Sequence, residues 1–332
     1  MVTTIISPYL LVTLLILKAD PGCAMVAKEA RAAPASERPP DPEQHPSWRL
    51  LEHARCGLSA ADRIIGGKNA ALGAYPWIAR IGYISTPSPL ASKYQLPGTR
   101  RKAVFRCGAA LVSSYYVVSA AHCVTNLPGG LEVGLIRLGE HNTRTDPDCE
   151  DGVCAEPVQD FRPSEVLMHA DYDQSPFKHD ISLIRLDRAV RFHDFVMPIC
   201  MIHGKLLTKN YVGEPTEVAG WGVFDIEDPR PSPILQTITL RVVSNAECAP
   251  RFEMYAEVGP TQMCVGGVVG QDSCGGDSGG PLMKVEALDG PPRYYLLGVV
   301  SFGSKRCGAS TMPGVYTRMA DYVHWVLDNM HE

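Results

Sequence analysis

The chain has 332 residues, of which 45% are hydrophobic and 20% are charged, a balance that excludes an intrinsically disordered polymer. Its 31 basic and 36 acidic residues give a net charge of -5, and because nucleic-acid binding needs a basic surface, we expect no nucleic-acid partner. This length is enough for two domains, or two half-domains that share an interface, with a sizeable core.

The N-terminal region indicates secretion. Residues 9–17 form an apolar run that is too short to cross a membrane and is followed by small residues up to Ala24. We interpret residues 1–24 as a secretory signal peptide and expect an extracellular protein that is not membrane-bound. Residues 25–63 are rich in proline and are predicted to be an extended pro-segment without a core of its own.

From residue 64 to residue 332 the pattern changes to short β-type runs separated by Gly, Pro and Asp. The predicted strands cover residues 109–112, 115–118, 133–138, 181–186, 237–243, 294–302 and 315–319. Helical signals occur only at residues 244–251 and 321–329. Many short strands with few helices predict an all-β barrel or sandwich.

The cysteine count also favours an oxidising compartment. There are 11 cysteines, and if Cys23 is removed with the signal peptide the other ten can form five disulfides. No C-x-x-C pair or H-E-x-x-H run suggests a zinc site.

Ser278 lies in the glycine-rich segment GQDSCGGDSGGP at residues 270–281. A serine hydroxyl is a nucleophile only beside a base, and glycines let backbone N–H groups approach a developing oxyanion. The segment also fits the G-x-S-x-G pattern of α/β-hydrolases. That alternative fails, because such an enzyme needs an acid and a histidine after the serine, with too little chain left for the remaining sheet.

His122 follows an apolar strand in SAAHC, and Asp180 opens the strand segment HDISLIRL. Each residue taken singly has an ordinary structural interpretation, His122 as packing beside a cystine and Asp180 as a turn residue. Together with Ser278 they occur in the order His, Asp, Ser, which is that of the chymotrypsin-type triad.

With these motifs, residues 64–332 resemble a trypsin-like serine protease domain. The resemblance implies two six-stranded antiparallel β-barrels with a C-terminal helix and the catalytic residues between the barrels. It implies His122 as general base, Asp180 as the group that orients it, and Ser278 as nucleophile. The N–H groups of Gly276 and Ser278 would form the oxyanion hole.

The same resemblance implies cleavage after Arg or Lys. Asp272 matches the base of the primary specificity pocket, where a buried carboxylate requires a cationic substrate side chain. Ser273 could bind a lysine ammonium, and Gly303 and Gly314 match the glycines of the pocket wall. Ser301 matches the serine that helps to hold the catalytic aspartate.

The segment RIIGG at residues 63–67 resembles a zymogen activation junction. Cleavage after Arg63 would free an α-amino group at Ile64, which would pair with Asp277 and complete the oxyanion hole. An arginine at the junction implies an activating protease upstream and therefore a proteolytic cascade.

The resemblance also implies a pairing of the ten cysteines. The expected disulfides are Cys107–Cys123, Cys248–Cys264, Cys274–Cys307, Cys56–Cys200, which would tether the pro-segment, and the remaining Cys149–Cys154 in an acidic loop.

The extra loop cystine and a long insertion before Phe105 resemble the arthropod clip-domain proteases of the easter and prophenoloxidase-activating type, although residues 25–55 contain no cysteine and so no recognisable clip module. This implies a role in immunity or development, a proenzyme as protein substrate and a serpin-type inhibitor. No cofactor is required. Glu140 matches a calcium-loop position, so calcium is one alternative there and a solvated acidic loop the other.

The leading hypothesis is a secreted serine endopeptidase zymogen. The rival hypothesis is a non-catalytic protease homologue that acts as an adaptor or regulator. The presence of His122, Asp180 and Ser278 favours the enzyme.

Overall fold

The computed structural model describes residues 41–60, 68–85, 102–175, 177–222, 230–268, 277–288, 290–304 and 310–332. These residues form mainly short strands, numbered here in chain order. The strands are β1 Lys68–Asn69, β2 Ile78–Ser85, β3 Val104–Leu111, β4 Tyr116–Ser119, β5 Leu131–Leu138, β6 Cys149–Glu150, β7 Val153–Cys154, β8 Gln159–Phe161, β9 Pro163–Met168, β10 Ser182–Leu186, β11 Cys200–Met201, β12 Pro215–Gly220, β13 Gln236–Val243, β14 Gln262–Gly266, β15 Pro281–Glu286, β16 Arg293–Phe302 and β17 Pro313–Arg318. The α-helices are α1 Asn245–Phe252 and α2 Val323–Asp328, and the 3₁₀ helices are Pro42–Gln44, Pro46–Leu50, Ala121–Cys123, Pro128–Gly130, Gly204–Leu207 and Met319–Asp321.

The C-terminal half forms a closed barrel. Its strands follow the order β13-β12-β15-β16-β17-β14, and β14 pairs back with β13 through Val242 and Val265. Six strands therefore close the barrel, while the short β1 and β11 attach at its outside to β13 and β16. Closure pairs the strand edges that would otherwise be open to association.

The N-terminal half forms a curled antiparallel sheet with the order β8-β5-β2-β3-β4-β10-β9. It is a half-barrel of seven strands, whereas a closed six-stranded barrel was expected. Strand β10, which lies between β4 and β9, is almost entirely buried, whereas burial alternates along the edge strand β9. Three of the five residues of β10, namely Leu183, Ile184 and Leu186, are apolar, which agrees with its burial. Apart from this difference in closure, the predicted trypsin-like fold is confirmed.

The two sheets share one hydrophobic core. Trp77 is fully buried just before β2, and its indole N–H lies 2.9 Å from the sulfur of Met283 in β15. Because the two halves pack directly together, side chains from both can meet at a single site between them.

Both predicted helical regions are confirmed, with changed bounds. Helix α1 begins at Asn245 because the hydroxyl of Ser244 accepts a hydrogen bond from the N–H of Glu247 at 3.2 Å. The second region is divided into the 3₁₀ helix Met319–Asp321 and the α-helix α2.

The described part of the predicted pro-segment packs against the rest of the chain. Residues 41–60 are packed on the two sheets, with Leu51 and Cys56 buried in their shared core. The guanidinium of Arg293 donates hydrogen bonds to the carbonyls of His53, Ala54 and Cys56 at 3.0–3.1 Å. A proline-rich segment therefore lacks a core of its own but completes the core of its neighbour.

Four of the five expected disulfides are present, namely Cys56–Cys200, Cys107–Cys123, Cys149–Cys154 and Cys248–Cys264. The fifth, Cys274–Cys307, and the signal peptide at residues 1–24 lie outside the described residues. Among the helices of the described residues, none has the length and apolar character that a membrane crossing requires.

Candidate active site

His122 and Asp180 meet because their strands are neighbours. His122 lies in the 3₁₀ helix that follows β4, Asp180 comes just before β10, and these two strands are antiparallel partners. The ring Nδ1 of His122 lies 2.8 Å from Oδ2 of Asp180, and the backbone N–H of His122 donates to Oδ1 at 2.9 Å. An ionised carboxylate can only accept, so Nδ1 carries the proton and Nε2 keeps the lone pair that a base requires.

The Asp180 carboxylate is fully buried and is held by groups from the other half of the molecule. The hydroxyl of Ser301 in β16 donates to its Oδ2 at 2.5 Å, as the resemblance to trypsin-like proteases implied. The hydroxyl of Thr317 in β17 donates to the backbone carbonyl of Asp180 at 2.6 Å. Sequence reasoning missed Thr317, because no motif marks a polar residue whose partner lies 137 positions away.

Ser278 lies in a tight turn that contacts both halves. The N–H of Gly280 donates to the carbonyl of Asp277 at 2.8 Å, and the N–H of Gly279 donates to Val300 in β16 at 2.9 Å. On the other side, Gly108 in β3 donates to the carbonyl of Ser278 at 2.8 Å. The backbone of the predicted nucleophile is therefore held at the junction of the two sheets.

Gly279 brings this turn against the His122 segment. It has a φ of 77°, and a Cβ there would overlap the hydroxyl of Ser119 and lie 3.1 Å from the sulfur of Cys123, the residue after His122. Among the described residues, the hydroxyl of Ser278 has no hydrogen bond to the imidazole of His122. The structure thus joins His122 to Asp180 and places Ser278 on the adjacent turn.

Asp277 points away from the turn toward a glycine pair. Its Oδ1 accepts a hydrogen bond from the N–H of Gly222 at 2.8 Å, and a Cβ on Gly222 would lie 2.5 Å from its Oδ2. A side chain at Gly220 would also overlap the carboxylate. The predicted cleavage residues Arg63 and Ile64 lie outside the described residues.

The predicted pocket is described only in part. Gly303 and Gly314 face each other, since a Cβ on Gly303 would lie 3.6 Å from the Cα of Gly314. Asp272, Ser273 and Gly276 lie outside the described residues and stay predictions.

Phe177 is a neighbour of His122 that sequence reasoning missed. Its ring stacks on Phe302 with centroids 5.0 Å apart and meets the His122 ring edge-on at 6.3 Å. The residue has a φ of 64°, which is unusual for a bulky side chain. Its loop position carries no sequence signal for this contact.

Glu140 does not fit the calcium site that its position suggested. Its Oε2 lies 3.3 Å from a guanidinium nitrogen of Arg137 and 3.7 Å from one of Arg80. Its other carboxylate oxygen is buried without a hydrogen-bond partner, and burial raises the pKa of Glu140 above its ordinary value. The nearby Asp148 already accepts from two backbone N–H groups and a hydroxyl. Two adjacent cations disfavour a divalent cation here.

Comparison with known proteins places this arrangement in a family. A family model described as Trypsin matches residues 64–326. The chain is 35% identical to CLIP domain-containing serine protease B4 of Anopheles gambiae, over 85% of this chain and 74% of that protein. It is 36% identical to the Spaetzle-processing enzyme of Drosophila melanogaster, over 82% of this chain and 67% of that protein.

A solved structure gives the same result. The crystal structure of the Drosophila Grass clip serine protease of the Toll pathway matches with a TM-score of 0.69 and 34% identity, covering 83% of this chain and 74% of that one. This chain therefore belongs to the trypsin family of serine proteases and is related within it to the CLIP-domain proteases of insects.

Proposed function

We propose that the protein is a secreted serine endopeptidase zymogen that cleaves protein substrates after Arg or Lys within an extracellular cascade. The observation that carries this proposal is the buried Asp180 carboxylate bonded to His122 and Ser301 beside the turn of Ser278. In this mechanism His122 takes the proton of the Ser278 hydroxyl through Nε2 and later returns it to the leaving amine. Asp180 stabilises the imidazolium that forms between these steps.

The proposed oxyanion hole consists of the N–H groups of Gly276 and Ser278. Such preorganised donors lower the barrier of acyl transfer by about 3 kcal/mol each. The hydrogen bonds of Gly279 and Gly108 to Val300 and Ser278 support this assignment, because they hold the turn from both sides.

The proposed preference for Arg and Lys depends on Asp272, with Ser273 beside it. The facing glycines Gly303 and Gly314 support it, because they leave room for a long side chain.

Activation by cleavage after Arg63 is proposed from the position of Asp277. In the intact chain its carboxylate accepts from the N–H of Gly222, and after cleavage the new ammonium of Ile64 would pair with this carboxylate. Cleavage would leave residues 41–60 attached through the Cys56–Cys200 disulfide.

The names of the relatives support a cascade in innate immunity. They include a Spaetzle-processing enzyme, Melanization protease 1 and a protease of the Toll pathway. By analogy, we infer an upstream activating protease, a proenzyme as substrate and a serpin-type inhibitor for this chain. Four disulfides are consistent with secretion through an oxidising compartment.

The test uses purified full-length protein, processed at Arg63 and assayed on small amides that end in Arg, Lys, Phe or Ala. We expect hydrolysis after Arg and Lys only, none with Ser278→Ala, and a loss of about 100-fold or more after Arg with Asp272→Ser. A processed protein that is inert and ignores serine-directed acylating reagents would instead support the adaptor hypothesis. Arg preference that survives Asp272→Ser would refute the pocket assignment.

A further inference from the structure

A second polar cluster joins the N-terminal segment to the protease domain and shares no residue with the site around His122. Asp41, Glu43 and His203 each place one nitrogen or carboxylate oxygen within 4.8 Å of the other two. The two acidic residues belong to the pro-segment, and His203 directly precedes the 3₁₀ helix Gly204–Leu207.

The local sequence holds the two carboxylates on one side of the segment. Asp41 is the N-cap of the 3₁₀ helix Pro42–Gln44, and its Oδ1 accepts from the N–H of Glu43 at 3.2 Å. Pro42, between them, restricts the backbone to the φ that this turn needs. The segment itself thus places the two carboxylates beside each other.

His203 presents a nitrogen to this pair without making a hydrogen bond. Its Nδ1 lies 3.3 Å from Oε1 of Glu43, yet it is buried and has no hydrogen-bond partner. A buried ring nitrogen without a partner is costly. Two ligands of a tetrahedral zinc ion, each about 2.1 Å from the metal, lie about 3.4 Å apart. The two atoms therefore have the separation of ligands that share a metal ion.

The surroundings orient the imidazole and leave room for a further ligand. The ring of Trp48 meets His203 edge-on at 5.2 Å, and the ring of Tyr295 lies at 6.2 Å. A cavity of about 320 Å³, lined in part by Glu43, Trp48, His203 and Tyr295, opens beside the cluster. It can admit a water molecule as the fourth ligand.

We propose that Asp41, Glu43 and His203 bind one divalent transition-metal ion, with Zn²⁺ as the best match. One imidazole and two carboxylates are a nitrogen and oxygen set that suits zinc, with an open position for water. On binding, a carboxylate oxygen of Asp41, now within 4.8 Å of the other two ligand atoms, would move to about 3.4 Å from them. The ion would join the pro-segment to the domain at a point separate from the Cys56–Cys200 disulfide.

The test is a calorimetric titration of the full-length protein with zinc chloride. We expect one site in the wild type, and an affinity reduced about 100-fold or more in both Glu43→Gln and His203→Gln. His331→Gln is the matched control, because His331 also faces a carboxylate, Glu165 at 2.9 Å, but belongs to no group of three ligating side chains among the described residues. Its affinity for zinc should equal that of the wild type.

Thermal unfolding supplies a second measurement. Zinc at 100 times its dissociation constant should raise the Tm of the wild type by roughly 5 °C and leave that of Glu43→Gln unchanged. Glu43 is half-exposed, so its substitution leaves folding intact. The proposal is overturned if the wild type shows neither heat nor a Tm shift, or if both ligand variants bind zinc as the wild type does.

Discussion

At the residue scale, the buried Asp180 carboxylate determines how the side chains of the site are arranged. A buried anion that loses its partners destabilises a protein by several kcal/mol. Asp180 avoids this cost by accepting from the backbone and ring of His122 and from the hydroxyl of Ser301. The same contacts fix the tautomer and the direction of the imidazole, so stability and the proposed chemistry depend on the same atoms.

Substitution Ser301→Ala should lower kcat/KM by roughly tenfold to 100-fold, since a hydrogen bond to a charged group contributes about 1.5–3 kcal/mol. We expect the loss in kcat together with an altered pH profile, because Ser301 acts on the imidazole through Asp180. Steady-state kinetics on an Arg amide from pH 5 to 9 would measure both. Ser164→Ala removes a hydroxyl that donates, within the described part of the chain, to the backbone carbonyls of Arg185 and Leu186, and this change should leave the kinetics unchanged. Identical profiles for wild type and Ser301→Ala would refute this role.

Substitution Gly279→Ala should destabilise the protein by about 2–4 kcal/mol. The new methyl group would overlap the hydroxyl of Ser119 and lie 2.6 Å from the carbonyl of Gly108, in addition to the strain of a φ of 77°. Gly152→Ala is the matched control, because its φ is 83° but nothing lies within 4 Å of the new Cβ. Denaturant unfolding should show a loss of only about 1 kcal/mol there. Equal losses in the two variants would show that backbone strain alone is responsible.

At the element scale, the sequence predicted those strands that are rich in apolar and β-branched residues. Strand β16 was found as residues 294–302, and β13 as residues 237–243. Strands β2 and β12 were not predicted, because Arg80 and Gly82 interrupt the first and Pro215 opens the second. These two strands form because they pair with neighbouring strands in a fixed order and register, and a local sequence pattern shows neither the order nor the register.

The site shows the same limit. His122, Asp180 and Ser278 could be found because each lies in a short motif and their order in the chain is informative. Thr317 and Phe177 could not, since their contacts arise only when strands and loops distant in the chain pack together.

The segment of residues 41–60 should depend on Arg293 for its order. One guanidinium nitrogen of Arg293 donates hydrogen bonds to three carbonyls of this segment, those of His53, Ala54 and Cys56. With Arg293→Met we expect the amides of residues 45–56 to exchange hydrogen about tenfold faster. Arg49→Met is the control, because the Arg49–Glu332 ion pair is largely exposed and contributes little. Unchanged exchange in Arg293→Met would show that the disulfide and the buried Leu51 hold the segment without it.

Calcium should have no effect on the loop that contains Glu140. The carboxylate is buried between Arg80 and Arg137, and their positive charge opposes that of a further cation. We expect less than about 1 °C of change in Tm between 5 mM calcium and a chelator. If calcium clearly raised the Tm of the wild type but not that of Glu140→Gln, a calcium site at Glu140 would be supported instead.

At the scale of the whole molecule, the two halves are joined where the chemistry is proposed to occur. Ser301 and Thr317 from the C-terminal barrel hold Asp180 of the N-terminal sheet, while Gly108 of that sheet holds Ser278. A change at this junction therefore affects both halves together. In the proposed activation, cleavage at Arg63 acts on this junction through the pairing of the Ile64 ammonium with Asp277.

Substitution Asp277→Asn tests this coupling. An Asn side chain still presents an oxygen to the N–H of Gly222, so the intact chain should fold and be cut at Arg63 like the wild type. It cannot form the charged pair with the new ammonium of Ile64, and we expect the cut protein to be about 100-fold or more less active on Arg amides. Asp187→Asn is the matched control, because Asp187 accepts from the backbone N–H of Arg162 at 3.1 Å on the exposed surface. If the cut Asp277→Asn protein matched the control in kcat/KM, activation would not act through this carboxylate, and the oxyanion hole would have to be already complete in the intact chain.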